Sequence, residues 1–395
     1  MKPLKLLFVC NIVEVSKHQL VDGYQAAALS FQQKLLGGFE KNGAIVELLS
    51  EPLIPSWSRN YKILNSKGYV WSRNNNSHDE CVGFLNVFPF KNILISHSFK
   101  RAIKKWIKSN SDFNCAIVAY SPRYQYINSC KYASKLGVSN CLIVPDLPEF
   151  SGISRMSNPI YRSLKQIDIK HFYKTSKYVG SFALFTKTMA ERFHKDIVST
   201  TIECIVDDDA TVSFSQTNNQ EKRIVYTGGI EEEYGIKLLL DAFSLINDDN
   251  YHLDICGSGN AQELVKKYVL KNNRIHYYGL ISREKAVSIQ KRATLLVNPR
   301  YESDFTKYSF PSKNAEYIMS GKPVICFKLE GIPDEYDKCF IYFRSKDLGM
   351  MAEDLVSASE LSPFEREKKA KDAFLFLKSY SNSKRQAGKI IELIK

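Results

Sequence analysis

Apolar residues come in short runs along this chain, at 4–11, 44–49, 116–120, 141–144 and 182–185. Longer stretches lie between them, such as 24–42, in which apolar positions recur every three to four residues. Unbroken runs of this length fit strands buried on both faces, and the intervening period fits helices that cover a sheet. The alternation predicts βαβ units and a parallel sheet. It pauses after an apolar run at 201–206, read as a further strand, where Asp207, Asp208 and Asp209 lead into a Ser-, Thr-, Asn- and Gln-rich stretch, 213–220. A second series restarts at 223, with a helix over 234–246 and apolar runs at 253–256, 275–278, 293–297 and 324–327. An amphipathic helical run, 373–395, follows. At 395 residues the chain is too long for one ordinary core. The fold class is therefore α/β with two domains, 1–207 and 208–374. No apolar run reaches the ~18 residues a membrane span needs.

Charge and cysteines sharpen this picture. Residues 1–210 hold 27 of the 55 Lys and Arg against 17 of the 42 Asp and Glu, an excess of ten, while the remainder has an excess of three. A basic first half points to an acidic partner there, whether nucleic acid, an anionic membrane face or a phosphorylated acceptor. The nine cysteines show no CxxC or Cys/His ligand spacing, and most sit in apolar runs. They read as reduced core residues of a cytoplasmic protein. The opening stretch has a basic flank and a short apolar core but no small-residue cleavage site, and reads as a first strand.

The densest chemistry lies in NPRYESDFTKYSFPSKNAEYIMSGKPVI, beginning at Asn298. Pro311 suits the first turn of a helix, and Gly321 before Lys322-Pro323 stops one, giving about three turns over 311–320, roughly 15 Å. Its open N–H groups face a loop holding Arg300, Lys307 and Lys313, which makes an anion site. Glu316 shares a face with Ser312 and Lys313, where a carboxylate can accept from both hydroxyls of a ribose. Elsewhere, Gly228 and Gly229 end a strand at 223–227, where a backbone can approach a diphosphate closely. Gly257 opens a Gly-Ser-Gly turn, and Asp146 and Glu149 follow a strand end in PDLPEF. The acidic triplet 207–209 reads either as a divalent-metal DxD or as a solvated linker entrance.

The string FPSK..EY...G.PVI, with Phe310, Pro311, Ser312, Lys313, Glu316, Tyr317, Gly321 and Pro323, resembles the donor-site signature of the retaining family-four glycosyltransferases of GT-B architecture. The resemblance implies two Rossmann-like domains facing across a cleft, with the C-terminal helix 375–395 crossing back to the first. It implies a hexosyl transfer from a UDP- or GDP-sugar to a glycan or lipid-linked acceptor in cell-surface polysaccharide synthesis. Glu316 takes the ribose-binding place, beside Tyr308, Ser309, Phe310, Pro311 and Ser312 of the donor segment. Gly228 and Gly229 fall on the diphosphate side and Leu280 in the segment that borders the base, while Gly257 is a donor-binding candidate whose Gly-Ser-Gly is more often a tight turn than a phosphate loop. Gly23 and Asp146 fall on the acceptor side. The chain departs from the pattern where Tyr308 replaces a glutamate, Gly229 an arginine and Tyr234 a lysine; Arg300 and Lys313 are then the substitutes on the phosphates and the catalytic pair. No metal or cofactor is expected. The departures keep two alternatives open: a catalytically silent nucleotide- or anion-binding relative, and a sugar-nucleotide epimerase of similar architecture.

The stretch 91–110 carries Phe99, Ile103, Trp106 and Ile107 on one helical stripe and Lys100, Arg101, Lys104, Lys105 and Lys108 on the others. It reads either as an interfacial membrane element, with Lys100, Arg101, Lys104, Lys105 and Trp106 at the lipid, or as a helix covering the sheet. Aromatics confined to the stripe argue against single-stranded nucleic acid. The expected location is cytoplasmic, with peripheral attachment to the inner face of the plasma membrane.

Overall fold

The computed structural model describes residues 2–14, 26–57, 63–74, 77–150, 159–214 and 220–395. The chain divides into two units, Met1–Asp207 with Ser381–Lys395, and Asp208–Tyr380.

In the first unit the order is β1 (Leu4–Cys10), α1 (Ala26–Lys41), β2 (Ile45–Ser50), β3 (Asn65–Ser66), β4 (Tyr69–Trp71), β5 (Asp79–Cys81), β6 (Phe84–Leu85), α2 (Lys91–Ser109), β7 (Asn114–Tyr120), α3 (Tyr124–Lys135), β8 (Ser139–Val144), α4 (Pro159–Ser176), β9 (Ser181–Leu184) and β10 (Ser199–Thr201). Eight of these strands form one sheet in the order β10-β9-β8-β7-β1-β2-β5-β4, parallel except for β4. The central strand β1 pairs with β2 on one side and β7 on the other. Its apolar run is unbroken because both faces are covered. On one face Leu6, Phe8 and Cys10 pack with Leu35 and Phe39 of α1. The same cluster holds Ala387, Ile390 and Ile391 from α11 (Ser383–Ile394), the last helix of the chain. On the other face α3 packs on β7 and β8, with α2 and α4 beside it. The short strand β5, next to the edge strand β4, is tied in by Asp79. This fully buried carboxylate accepts from Arg73 Nε at 2.7 Å and from the Leu48 backbone N–H at 2.8 Å.

The second unit runs β11 (Lys222–Thr227), α5 (Ile236–Ser244), β12 (Tyr251–Cys256), α6 (Gln262–Lys271), β13 (Ile275–Tyr277), α7 (Arg283–Arg292), β14 (Leu295–Asn298), α8 (Ser312–Ile318), β15 (Val324–Cys326), β16 (Ile341–Tyr342), α9 (Leu348–Ser359) and α10 (Pro363–Tyr380). Its six strands are all parallel, in the order β13-β12-β11-β14-β15-β16. That is the doubly wound arrangement in which the chain leaves the centre first one way and then the other.

The short strands β3 to β6 and β16 were not in the sequence reading, and three elements that were in it differ. Residues 202–206 are not a strand. Ile202 and Ile205 bury their side chains in the core cluster with α1 and α11, Val206 is buried too, and its N–H donates to the Ser381 carbonyl at 3.0 Å. The apolar pattern there is met by packing, not by a ladder. The helical run 373–395 is two helices, because Asn382 caps α11 by accepting from the Arg385 N–H at 2.8 Å. The helix expected over 311–320 is α8, only seven residues and about 10 Å long, with Pro311 before the first turn instead of in it. All nine cysteines are free thiols, and burial pushes Cys81 up to about 11 and Cys256 up to about 12.

Candidate functional site

In the second sheet β11 and β14 lie side by side, yet the connections after them run to opposite edges. At such a switch point the loops beyond the carboxyl ends part and leave a crevice for a ligand. Here those loops are Gly228-Gly229 after β11 and Pro299-Arg300 after β14, with α8 following.

The sequence of α8 explains how it is held there. Asn314, Ala315, Tyr317 and Ile318 are buried, while Ser312 is exposed and Lys313 and Glu316 are partly so. The Tyr317 hydroxyl accepts from the Thr227 N–H at 2.8 Å and donates to the Thr227 carbonyl at 3.0 Å, pinning α8 to the end of β11. Asn298 Nδ2 donates to Asn314 Oδ1 at 2.6 Å, and Asn314 Nδ2 to Cys326 Sγ at 3.4 Å, which fixes the same helix to β14 and β15. Burial pushes the Tyr317 phenol well up, so it stays a neutral donor and acceptor. This inner face leaves Lys313 and Glu316 on the outer side of a rigid turn.

Lys313 Nζ lies 3.0 Å from Glu316 Oε2, both side chains about a third exposed. An exposed i,i+3 pair of this kind is worth only a few tenths of a kcal/mol, so an arriving ligand displaces it at little cost. Lys313 Cε sits 3.5 Å from where a Cβ on residue 228 would be, so the lysine stands over the glycine loop. Glu316 Oε1 accepts from Gln290 Nε2 at 2.9 Å, and Gln290 Nε2 also reaches Thr227 Oγ1 at 2.7 Å. Gln290 is fully buried on α7 and sets the carboxylate's direction.

Arg300 is positioned by two rings. Its guanidinium carbon is 4.6 Å from the centroids of both Tyr234 and Phe305. The Tyr234 ring in turn lies 3.3 Å from the Cβ position of Gly229. Where a lysine was expected, an aromatic face therefore holds an arginine over the first loop, and a Cβ on residue 229 would crowd that ring. The Tyr226 hydroxyl donates to the Gly229 carbonyl at 2.6 Å and burial raises its pKa, which keeps the loop in this shape.

The Gly257 loop meets the first one directly. Its N–H donates to the Gly279 carbonyl at 2.8 Å, and a Cβ at residue 257 would lie 1.8 Å from the Gly228 carbonyl oxygen. Leu280, next along, is 80% exposed beside this loop, an apolar wall open on one side.

Other residues singled out in the sequence fall elsewhere. Ser309 and Phe310 are buried, Phe310 edge-on to Tyr336 at 5.5 Å, so these side chains belong to the core and offer a ligand only backbone. Tyr308 ends a short 3-10 turn, with Lys307 Nζ 5.8 Å from its ring centroid. Gly23 lies outside the described residues. Asp146 is exposed just after β8. Asp207 pairs with Lys34 at 3.1 Å. Trp106 is buried and donates its indole N–H to Glu47 Oε2 at 2.7 Å, which removes it from any lipid-facing set; Lys100, Arg101, Lys104 and Lys105 remain exposed.

Sequence reasoning missed Gln290, Thr227, Asn314 and Tyr317, and a second polar set in the first unit. There, beyond the carboxyl ends of β1 and β7, Tyr126 donates to buried Glu51 at 2.9 Å and receives from Asn11. Gln32 accepts the Asn11 N–H at 2.8 Å. Ser121, with φ 100°, is the positive-φ residue other than glycine among the described residues and sits at the same switch point. The available signal was the polar residue on an otherwise apolar helical stripe, as in Tyr124–Lys135.

Two doubly wound units, each with its polar groups at the carboxyl ends of the strands, define the class of fold. Residues 207–355 match the family model described as Glycosyl transferases group 1. Solved structures align over both units. A UDP-forming α,α-trehalose-phosphate synthase from Burkholderia xenovorans has TM-score 0.64 and 12% identity, covering 100% of this chain and 99% of the other. TarM has TM-score 0.65 and 10% identity, at 100% and 99%. A sucrose-phosphate synthase from Thermosynechococcus elongatus has TM-score 0.62 and 14% identity, at 99% and 98%. The chain has the GT-B fold. No curated protein sequence matches it.

Proposed function

We propose that the protein is a retaining glycosyltransferase that moves a hexosyl group from a UDP- or GDP-sugar to a glycan or lipid-linked acceptor, at the cytoplasmic face of a membrane and in cell-surface polysaccharide synthesis. The observation that carries this is the convergence of Gly228-Gly229, Arg300, Lys313 and Glu316 on one switch-point crevice. The diphosphate lies on the glycine loop under Arg300 and Lys313, Glu316 accepts from the ribose hydroxyls, and Leu280 borders the base. With α8 only two turns long, the two side-chain cations carry more of the anion binding than the helix end does. The bond from the anomeric carbon to the distal phosphate oxygen breaks as the acceptor oxygen bonds to the same face of that carbon. The acceptor's proton passes to the departing phosphate oxygen. The protein supplies position and stabilises the charge that grows on the diphosphate. No metal enters this scheme.

Thermal unfolding with UDP, GDP and their common sugars, with and without Mg²⁺, is the test. Metal-independent stabilisation by one nucleotide family is expected, since a ligand of the native state stabilises by mass action. Stabilisation only with Mg²⁺ points back to Asp207–Asp209, and no stabilisation by any of them removes the donor site.

Gln290→Leu checks the carboxylate's role. It removes the donor that aims Glu316 while keeping the volume, so nucleotide affinity should fall by about 1–2 kcal/mol, roughly five- to thirtyfold, in calorimetric titration. Unchanged affinity with a lower melting temperature would assign Gln290 to packing alone.

A further inference from the structure

The charge of the first unit is gathered on one layer of helices. Helix α2 carries six Lys and Arg and no Asp or Glu, α3 two and none, and α4 four with the single Asp168. The three pack side by side, α2 on α3 and α3 on α4. Each leads into a parallel strand, so their N-terminal turns share the rim at the carboxyl ends of the sheet.

The outer faces of α2 and α4 have the same graded pattern. On α2 the exposed row with helical spacing is Ile93, His97, Lys100, Lys104, Lys108, and on α4 it is Ile160, Ser163, Ile167, Lys170, Lys174. Each begins apolar at the rim and becomes basic away from it. Phe88 and Phe90, just before α2, are 40% and 58% exposed, and Ile160 and Ile167 are 68% and 64% exposed. The sequence reading assigned lipid contact to Trp106, which is buried. The exposed apolar residues lie at the opposite end of α2.

We propose that this rim and helix layer dock on an anionic lipid bilayer, with Phe88, Phe90, Ile93, Ile160 and Ile167 entering the headgroup region and the lysine rows against acidic headgroups. The near absence of carboxylates calls for an anionic partner, and the exposed apolar side chains call for a nonpolar phase. A nucleic acid supplies the first but not the second: Phe88 and Phe90 can stack on bases, but Ile93, Ile160 and Ile167, the greater part of the exposed apolar set, cannot. Docking in this sense turns the carboxyl-end rim, which holds Asp146, toward the bilayer. The inference deepens the proposed function and rests on its reading of the acceptor as lipid-linked; binding itself is tested without donor or acceptor.

Flotation of the full-length protein with phosphatidylglycerol–phosphatidylcholine vesicles and with phosphatidylcholine vesicles separates the cases. Binding to the first and not the second, weakening with salt, is expected. Lys100→Gln with Lys104→Gln and Lys108→Gln should lower partitioning about a hundredfold, at about fivefold per lysine. Phe90→Ser with Ile93→Ser and Ile167→Ser, at positions already exposed, should lower it at least tenfold and leave nucleotide stabilisation unchanged. No vesicle binding, equal binding to both vesicles, or a serine triple variant that binds as wild type would overturn the docking surface. Nucleotide stabilisation without vesicle binding would leave the donor site standing, and vesicle binding without it would do the reverse.

Discussion

Lys313→Gln is expected to lower kcat by two to three orders of magnitude while affinity for the nucleotide-sugar donor falls by much less. Lys313 Nζ is 3.0 Å from Glu316, and Cε stands 3.5 Å from the Cβ position of Gly228, so under the proposed function the ammonium is within reach of a diphosphate on that loop. In the ground state the oxygen that would leave is esterified to the sugar and carries no charge. As the glycosidic bond breaks, the distal phosphate gains negative charge, and a fixed cation gains most at that moment. Removing one preorganised charge or donor of this kind costs about 3–4 kcal/mol in the transition state. Glutamine keeps an N–H donor on a stem one atom shorter and loses the charge. Single-turnover and equilibrium binding measurements read the two effects separately. A fall in affinity with kcat unchanged would mean that Lys313 serves only ground-state binding.

Gly257→Ala is expected to destabilise the second unit by about 4 kcal/mol or more and to abolish nucleotide binding with it. Two costs combine there. The backbone has φ +138°, in a region open to glycine almost alone, and the new Cβ would lie 1.8 Å from the Gly228 carbonyl oxygen. The obstacle is backbone at the end of a central strand, which cannot swing aside as a side chain does. The only relief is to part the two loops that line the crevice. Gly279→Ala is the control. It also has a positive φ, +66°, but nothing lies within 4 Å of its Cβ position, so the cost should be about 1–2 kcal/mol. Urea unfolding of the two variants gives the comparison. A Gly257→Ala protein within about 1 kcal/mol of the control would show that the two loops do not meet this closely in solution.

The central strands of both sheets were legible in the sequence because burial on both faces leaves no room for polar alternation, whereas the short strands β4, β5 and β16 toward the edges carry no such run. Runs such as 4–11, 141–144 and 324–327 say so locally, without reference to anything distant. The short helix after β14 was legible through Gly321 and the spacing of Lys313 and Glu316, though its length and the place of Pro311 were not. Local pattern also misled where two structures satisfy it equally. The run 201–206 is apolar whether it joins a ladder or lies under α1 and α11, and the stripe on α2 has the same period facing lipid or facing Glu47.

Only tertiary packing decided which polar groups meet. Thr227 finds Gln290 across 63 residues of sequence and Tyr317 across 90. Nothing within a helical turn of any of the three signals those contacts. The placing of Arg300 between Tyr234 and Phe305 depends on β11 and β14 becoming neighbours, which is a property of strand order and not of either segment. Composition and periodicity thus determined the α/β class and the positions of its buried central strands. The register of side chains around the crevice was settled by long-range close packing, where each hydrogen bond exists only once the whole sheet has formed.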